Sequence, residues 1–275
     1  MRWHFPYRDV INIYPYLTIH NYQISLYGCF AALGILAALI YVQIYEKKNK
    51  VYSADIDISL VYGLIGGVIG SKALYLIVNI KEFVSEIHFA FTETLLFIEK
   101  YFCSGFVYFG GVFGFLVALH LYARFVKIPV DEIVRPAIPA LSLFHAFGRI
   151  GCFFAGCCYG KPTKSVFGVI NHFSKIAPNG IPLVPVQLFE SAIEIALFCS
   201  MLVLQKKRAS GMLIQNYYLL LYGAARFFLE YLRADVERGF IGVFSISQII
   251  ALATCIYAAG KILRKKQKAE HQPEN

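Results

Sequence analysis

Long apolar stretches recur along the whole chain. Seven of them, roughly residues 24–45, 56–79, 105–123, 133–154, 186–204, 212–231 and 239–263, are long enough to cross a bilayer as helices, which takes about 17–25 residues. A single stretch of this kind is equally well read as a buried core helix, but seven in series with basic linkers are not. Polar and apolar residues do not alternate in segments of about ten, the pattern an outer-membrane barrel requires. The expected fold class is all-α, a polytopic membrane protein with about seven transmembrane helices.

The short linkers differ in charge. "EKKNK", the pair Arg124 and Lys127, "QKKR" and the tail "KILRKKQK" are basic, whereas "KEFVSEIHFAFTETLLFIEK" and "RADVERG" are mixed. Cytoplasmic loops collect Lys and Arg, so the C-terminus is expected in the cytoplasm and the N-terminus outside. An odd number of spans agrees. Two longer connections, 80–104 and 159–185, then fall on the outer side, and both are too apolar for flexible linkers. The first predicts a helix along the interface, with Phe83, Ile87 and Phe91 on one face. Neither internal repeats nor low-complexity segments are visible, which makes residues 1–275 a single membrane-embedded domain. No cleavable signal peptide is expected, because the first twenty residues carry Asp9, Pro6, Pro15 and several tyrosines in place of a compact apolar run.

Composition agrees with this pattern. The chain is 58% hydrophobic and 16% charged, against about a quarter charged in soluble domains. Its 26 Lys+Arg and 17 Asp+Glu give a formal charge of +9. Membrane topology accounts for that excess, and with no basic, aromatic-lined groove pattern beside it, nucleic acid is not an expected partner.

Ionisable groups inside spans are costly and mark function or pairing. On the predicted topology the strongly polar residues gather toward the outer leaflet: Tyr27, Lys72, Arg149, Gln187, Glu190, Arg226, Glu230 and Arg233. Arg226, Glu230 and Arg233, spaced by four and three, are expected on one helical face, as are His145 and Arg149. Lys72, Arg149, Arg226 and Arg233 outnumber Glu190 and Glu230, so uncompensated positive charge is expected, suited to a lipid phosphate.

These residues sit in motifs that resemble the prolipoprotein diacylglyceryl transferases of bacteria. The family signature G-R-x-G-N-F-x-N-x-E-x-x-G is matched at Gly148, Arg149, Gly151, Phe153 and Gly160. P-x-Q-L-Y-E is similar to "PVQLFE", with Pro185, Gln187, Leu188 and Glu190. Y-G-x-x-R-x-x-x-E-x-x-R is intact as Tyr222, Gly223, Arg226, Glu230 and Arg233. "SLYG" at 25–28 and "IGSKALY" resemble the family's "WYG" and "GARLGY" segments, and the likeness covers about residues 15–260 in order. The chain also departs from the family. Cys152 and Ala155 replace the two signature asparagines, Cys157 replaces the glutamate, and Phe109-Gly110-Gly111 stands where the family has "HGG".

The resemblance implies transfer of the diacylglyceryl group of phosphatidylglycerol to the lipobox cysteine of a pre-lipoprotein, at the bacterial cell membrane. A thioether forms and glycerol phosphate leaves, with no cofactor or metal. Arg149 and Arg226 would hold the phosphate and its developing charge, Arg233 would assist, and Glu230 would orient one of them. The acceptor thiol must ionise, and an ordinary cysteine (pKa about 8.5) is only slightly ionised at neutral pH. With Phe109 at the family's histidine position, His145 is the substitute candidate for the base; hydrogen bonding in helix packing is the other reading of it. Tyr27, Lys72, Gly110, Gly111, Gly151, Gly160, Gln187 and Glu190 complete the expected substrate site.

Three of the seven cysteines, Cys152, Cys157 and Cys158, crowd "HAFGRIGCFFAGCCYGKPT". Their spacing matches no paired C-x-x-C pattern. Packed thiols, a disulfide from Cys152 to Cys157 or Cys158, and metal or redox chemistry all stand as readings. Cys29, Cys103, Cys199 and Cys255 read as ordinary buried residues. Rival functions are a transporter, the same lipid site with another acceptor, and a membrane thiol oxidoreductase. The last needs Cys157 and Cys158 but tolerates Arg226→Ala; the transferase predicts the reverse.

Overall fold

The computed structural model describes residues 12–19, 22–49, 54–88, 92–98, 101, 107–235 and 239–270. The long helices are α1 (Leu26–Asn49), α2 (Ala54–Val78), α5 (Tyr108–Val126), α6 (Val130–Ala155), α7 (Val186–Lys206), α8 (Gly211–Leu229) and α9 (Ile246–Glu270). Two short ones, α3 (Ile80–Ser85) and α4 (Thr94–Ile98), lie in the 80–104 connection. At 1.5 Å per residue, the 24 residues of α1 reach about 36 Å, enough for a bilayer core of about 30 Å.

Six of the seven long helices are apolar enough to cross a membrane. The chain is an all-α polytopic membrane protein, as expected. The seventh, α8, forms where the sixth span was predicted but is less apolar, because it carries Gln215, Asn216 and Arg226. All three are buried. A helix that points its polar groups inward dilutes its own hydropathy while still facing other helices.

The described residues cluster in two compact units. One comprises the chain up to Ile44 with Ile138–Ala209 and everything from Leu213 onward; the other is Tyr45–Ala137 with Ser210–Met212. In the second unit α2 and α5 pack through two small-residue ladders, Gly66 and Gly70 against Gly110 and Gly114. A Cβ at Gly70 would stand 2.3 Å from the Gly110 carbonyl oxygen, and one at Gly114 2.0 Å from that of Gly66. Backbones this close need glycine, the arrangement by which spanning helices associate without a hydrophobic drive. Gly110, expected in the substrate site, thus serves this contact; Gly111 faces Gly67 more loosely, at 3.5 Å. Lys72 lies in the same unit, 4.9 Å over the Tyr75 ring.

The first unit contains short strands that the apolar pattern does not reveal. β1 (Asn12–Ile13) pairs in parallel with β4 (Val169–Asn171), which pairs antiparallel with β5 (Pro182–Leu183). β2 (Tyr16–Ile19) and β3 (Tyr22–Ser25) form a hairpin leading into α1, and β6 (Phe240–Ile241) and β7 (Phe244–Ser245) another leading into α9. Ile13, Phe153 and Val169 make a small buried cluster that seats the sheet on the end of α6. The 159–185 connection is therefore an ordered cap.

Two expectations change. Among the described residues, the 80–104 connection holds two short helices in place of one. Phe83 packs edge-on against Tyr101 (centroids 5.1 Å apart), Ile87 is exposed, and Phe91 lies outside the described residues. Cys103 lies outside them too. Arg226, Glu230 and Arg233 do not share one helical face either. Helix α8 stops at Leu229, Glu230–Leu232 is a 3-10 turn, and Arg233 is extended (φ −81°, ψ 151°).

Candidate active site

Helix α6 presents Ser142, His145, Arg149 and Cys152, spaced by three, four and three and hence on one face. Helix α7 opposes it with Glu190 and Glu194, one turn apart, and α8 with Tyr218 and Tyr222. His145, Arg149, Glu190 and Glu194 are all at most 6% exposed. A continuous chain of polar contacts links them. His145 Nδ1 meets Glu194 Oε1 at 2.7 Å, Arg149 Nε donates to His145 Nε2 at 3.0 Å, and Arg149 Nη2 pairs with Glu190 Oε1 at 3.0 Å. Tyr222 donates to Glu190 Oε1 (2.9 Å), and Tyr218 to Glu194 Oε1 (3.2 Å). Ser142 Oγ donates to Glu194 Oε2 at 2.5 Å.

This network fixes the tautomer of the histidine. Because Arg149 Nε is a donor, His145 Nε2 accepts, and the ring proton sits on Nδ1 facing Glu194. His145 is a neutral imidazole oriented by a carboxylate, with its basic nitrogen covered by Arg149. Tyr222 packs edge-on against it, ring centroids 5.4 Å apart.

Arg226 pairs with Glu230 at 2.6 Å across the end of α8. Its other terminal nitrogen, Nη1, is buried with no hydrogen-bond partner among the described residues. Arg233 pairs with Asp235, Nε donating to Oδ1 at 2.9 Å. Backbone contacts fasten this segment to the turn after α6. Gly160 forms a bridge with Arg233, Lys161 donates to the Leu232 carbonyl at 2.8 Å, and Ala234 to that of Tyr159 at 3.1 Å. Gly160 is required there, because a Cβ would stand 2.3 Å from the Val184 carbonyl oxygen. Gln187 donates to the Cys157 carbonyl at 2.8 Å. Gly151 lets α6 approach Tyr27, whose carbonyl oxygen and ring would be 3.2 Å from a Cβ.

The first unit therefore brings together Tyr27, His145, Arg149, Gly151, Gly160, Gln187, Glu190, Arg226, Glu230 and Arg233. Lys72, Gly110 and Gly111 belong to the other unit. The expected surplus of positive charge is overturned. Glu194 and Asp235, absent from the sequence reading, join the cluster, and each of Arg149, Arg226 and Arg233 has a carboxylate partner. A signal for Glu194 was present: it is an acid inside a predicted span, one turn after Glu190.

The three cysteines also meet. Gly156 (φ +73°) ends α6 and Cys158 is itself left-handed (φ 58°), so the chain folds back on the helix end. The Sγ atoms of Cys152, Cys157 and Cys158 all lie within 4.8 Å of one another. All three thiols are free and partly exposed. Hydrogen bonds from Cys152 and Cys157, then the positive charges of Arg233 and Arg149, hold the Cys158 thiol well below the usual range.

Comparison with known proteins follows the same residues. The sequence model of the family described as Prolipoprotein diacylglyceryl transferase matches residues 15–264. A phosphatidylglycerol–prolipoprotein diacylglyceryl transferase of Clostridium tetani is 36% identical over 230 residues, 84% of this chain and 88% of that protein. The second such enzyme of Clostridium perfringens is 32% identical over 262 residues, covering 92% and 97%. That of Chlorobaculum tepidum is 34% identical over 171 residues, 61% and 58% of the two chains.

Proposed function

Because the chain belongs to the prolipoprotein diacylglyceryl transferase family, we propose that it moves the diacylglyceryl group of phosphatidylglycerol onto the lipobox cysteine of a pre-lipoprotein. The observation that carries this reading is the buried Glu194–His145–Arg149–Glu190 chain, in which Arg149 and Glu190 belong to the family's motifs. It is a lipid-to-protein transferase of the bacterial cell membrane, with its N-terminus outside and its C-terminus in the cytoplasm. The family match runs through both compact units, which supports one transferase domain.

In this reading Arg149 and Arg226 hold the lipid phosphate. Arg226 offers Nη1, which has no hydrogen-bond partner among the described residues, and Glu230 keeps the guanidinium in place from the other side. Arg149 changes partners. When it turns a donor to the phosphate, it uncovers His145 Nε2, and the base becomes available only once a lipid is bound. The acceptor sulfur attacks the glyceryl carbon, the carbon–oxygen bond breaks, and its electron pair leaves on glycerol phosphate stabilised by the arginines. Tyr27 and Gln187 help to hold the substrate, with Gly151 and Gly160 allowing close approach.

The test is direct: purified protein, phosphatidylglycerol vesicles and a lipobox peptide, with the thioether product read by mass. Product with the cysteine peptide and none with its serine analogue is the expected result. No product in fully inserted protein would sink the reading. His145→Phe should lower kcat by on the order of 100-fold, the range of a positioned base, and unchanged activity would remove His145 from the mechanism. Glu194→Ala strips the acceptor from His145 Nδ1–H, Tyr218 and Ser142. It is expected to lower kcat about tenfold or more with KM for the lipid unchanged, and to cost roughly 1–3 kcal/mol of stability per orphaned donor. A loss of stability with kcat intact would show that Glu194 only packs.

A further inference from the structure

The cysteine turn has no role in the mechanism above, yet it is built with care. Two left-handed residues, Gly156 and Cys158, reverse the chain at the end of α6. A Cβ at Gly156 would fall 2.3 Å from Ser174 Oγ, and Gln187 clamps the Cys157 carbonyl. A non-glycine residue in the left-handed region costs of order 1 kcal/mol and persists only where its surroundings hold it. What this turn achieves is convergence of three sulfurs from two chain segments.

We propose that Cys152, Cys157 and Cys158 form a three-thiolate site for a thiophilic d10 cation of the zinc class, whose open fourth position takes the acceptor cysteine of the peptide substrate. Sulfurs on a tetrahedral zinc at about 2.3 Å stand about 3.8 Å apart, so a spread within 4.8 Å closes by small side-chain rotations. Soft sulfur donors with no carboxylate or imidazole among them select this class over magnesium or calcium. Three thiolates and a divalent cation carry net negative charge, and two guanidiniums flank them: Arg149 one turn before Cys152, and Arg233 bridged to Gly160. A disulfide would use two of the sulfurs and leave the third idle.

The inference rests on the transferase reading and adds a means of ionising the acceptor thiol to the base that His145 supplies, Phe109 standing at the family's histidine position. A thiol bound to such a cation gives up its proton. The proton passes to His145 Nε2 once Arg149 has turned to the phosphate. The metal-held sulfur forms the bond to the glyceryl carbon, the carbon–oxygen pair departs on glycerol phosphate, and that oxygen takes the proton back from His145. The neutral thioether is a poor ligand and leaves the fourth position vacant. No electrons are gained or lost overall.

Metal content of purified full-length protein, washed with a weak chelator under reducing conditions, tests the site. About one zinc per chain is expected, falling to below about one tenth in Cys152→Ser and in Cys157→Ser/Cys158→Ser, with Cys199→Ser unchanged. The cobalt-loaded protein should show sulfur-to-cobalt charge-transfer absorption that shifts on adding lipobox peptide but not its serine analogue. Absence of stoichiometric metal, a two-hydrogen mass loss marking a disulfide, or bound cobalt indifferent to the cysteine peptide each overturns the proposal. Thioether formed at full rate by metal-free protein overturns it too while leaving the transferase reading intact. If instead no form of the protein, loaded or not, makes thioether, the transferase reading fails as well.

Discussion

Arg149→Lys should abolish measurable transfer, lowering kcat/KM by about 100-fold or more while the protein still inserts and folds. The substitution keeps the charge, so a site needing only positive potential would survive it. Arg149 does more than supply charge. Its Nε reaches His145 Nε2 at 3.0 Å while its Nη2 reaches Glu190 Oε1 at 3.0 Å, two directions from one rigid plane. A lysine ammonium is a point donor on a flexible stem and cannot hold both while also meeting a phosphate. Either Glu190 or the imidazole is left without its buried partner. The assay is product formation in phosphatidylglycerol vesicles, with thermal unfolding as the control for folding. Activity within threefold of the parent would rule out the bridging role, and loss explained entirely by unfolding would leave it unsupported.

Gly114→Val should be the most damaging substitution outside the site. Its Cβ alone would fall 2.0 Å from the Gly66 carbonyl oxygen and 2.9 Å from the Gly70 Cα, both backbone atoms of α2. Nothing flexible can move aside, so the helices must part, and the Gly70–Gly110 contact parts with them. The expected loss exceeds about 4 kcal/mol, beyond ordinary overpacking. Little folded protein should be recovered from detergent extracts. Gly28→Ala is the control, because nothing lies within 4 Å of its Cβ position. Normal yield and melting of the Gly114 variant would mean that α2 and α5 do not meet through these glycines.

Much of the fold was legible because membrane spans announce themselves by length and hydropathy alone, and each of the seven predicted segments contains most of one long helix. What escaped notice was polar or short. Helix α8 hides a polar interior face, and strands of two to four residues such as β1, β4 and β5 are too brief to show alternation. The candidate site was legible wherever a motif carried it: Arg149, Gln187, Glu190, Arg226 and Glu230. Glu194 and Asp235 belong to no such motif, and counting charges without them produced a surplus of cations that pairing removes. Arg233 followed the spacing of a helix that ends four residues too early. The three cysteines were visible from the start, but their convergence depends on two left-handed backbone angles that composition and periodicity do not encode.

The buried pairing of α6 with α7 bears on how the protein is made. A nascent chain that has reached residue 185 contains His145 and Arg149 but neither Glu190 nor Glu194; one that has reached 206 contains all four. An unpaired arginine in a spanning helix costs about 2.5–3.5 kcal/mol on insertion scales, and that burden is lifted only when the next helix arrives. Biogenesis should therefore hand α6 and α7 to the lipid as a hairpin, with the contacts of the candidate site serving first as its means of entry.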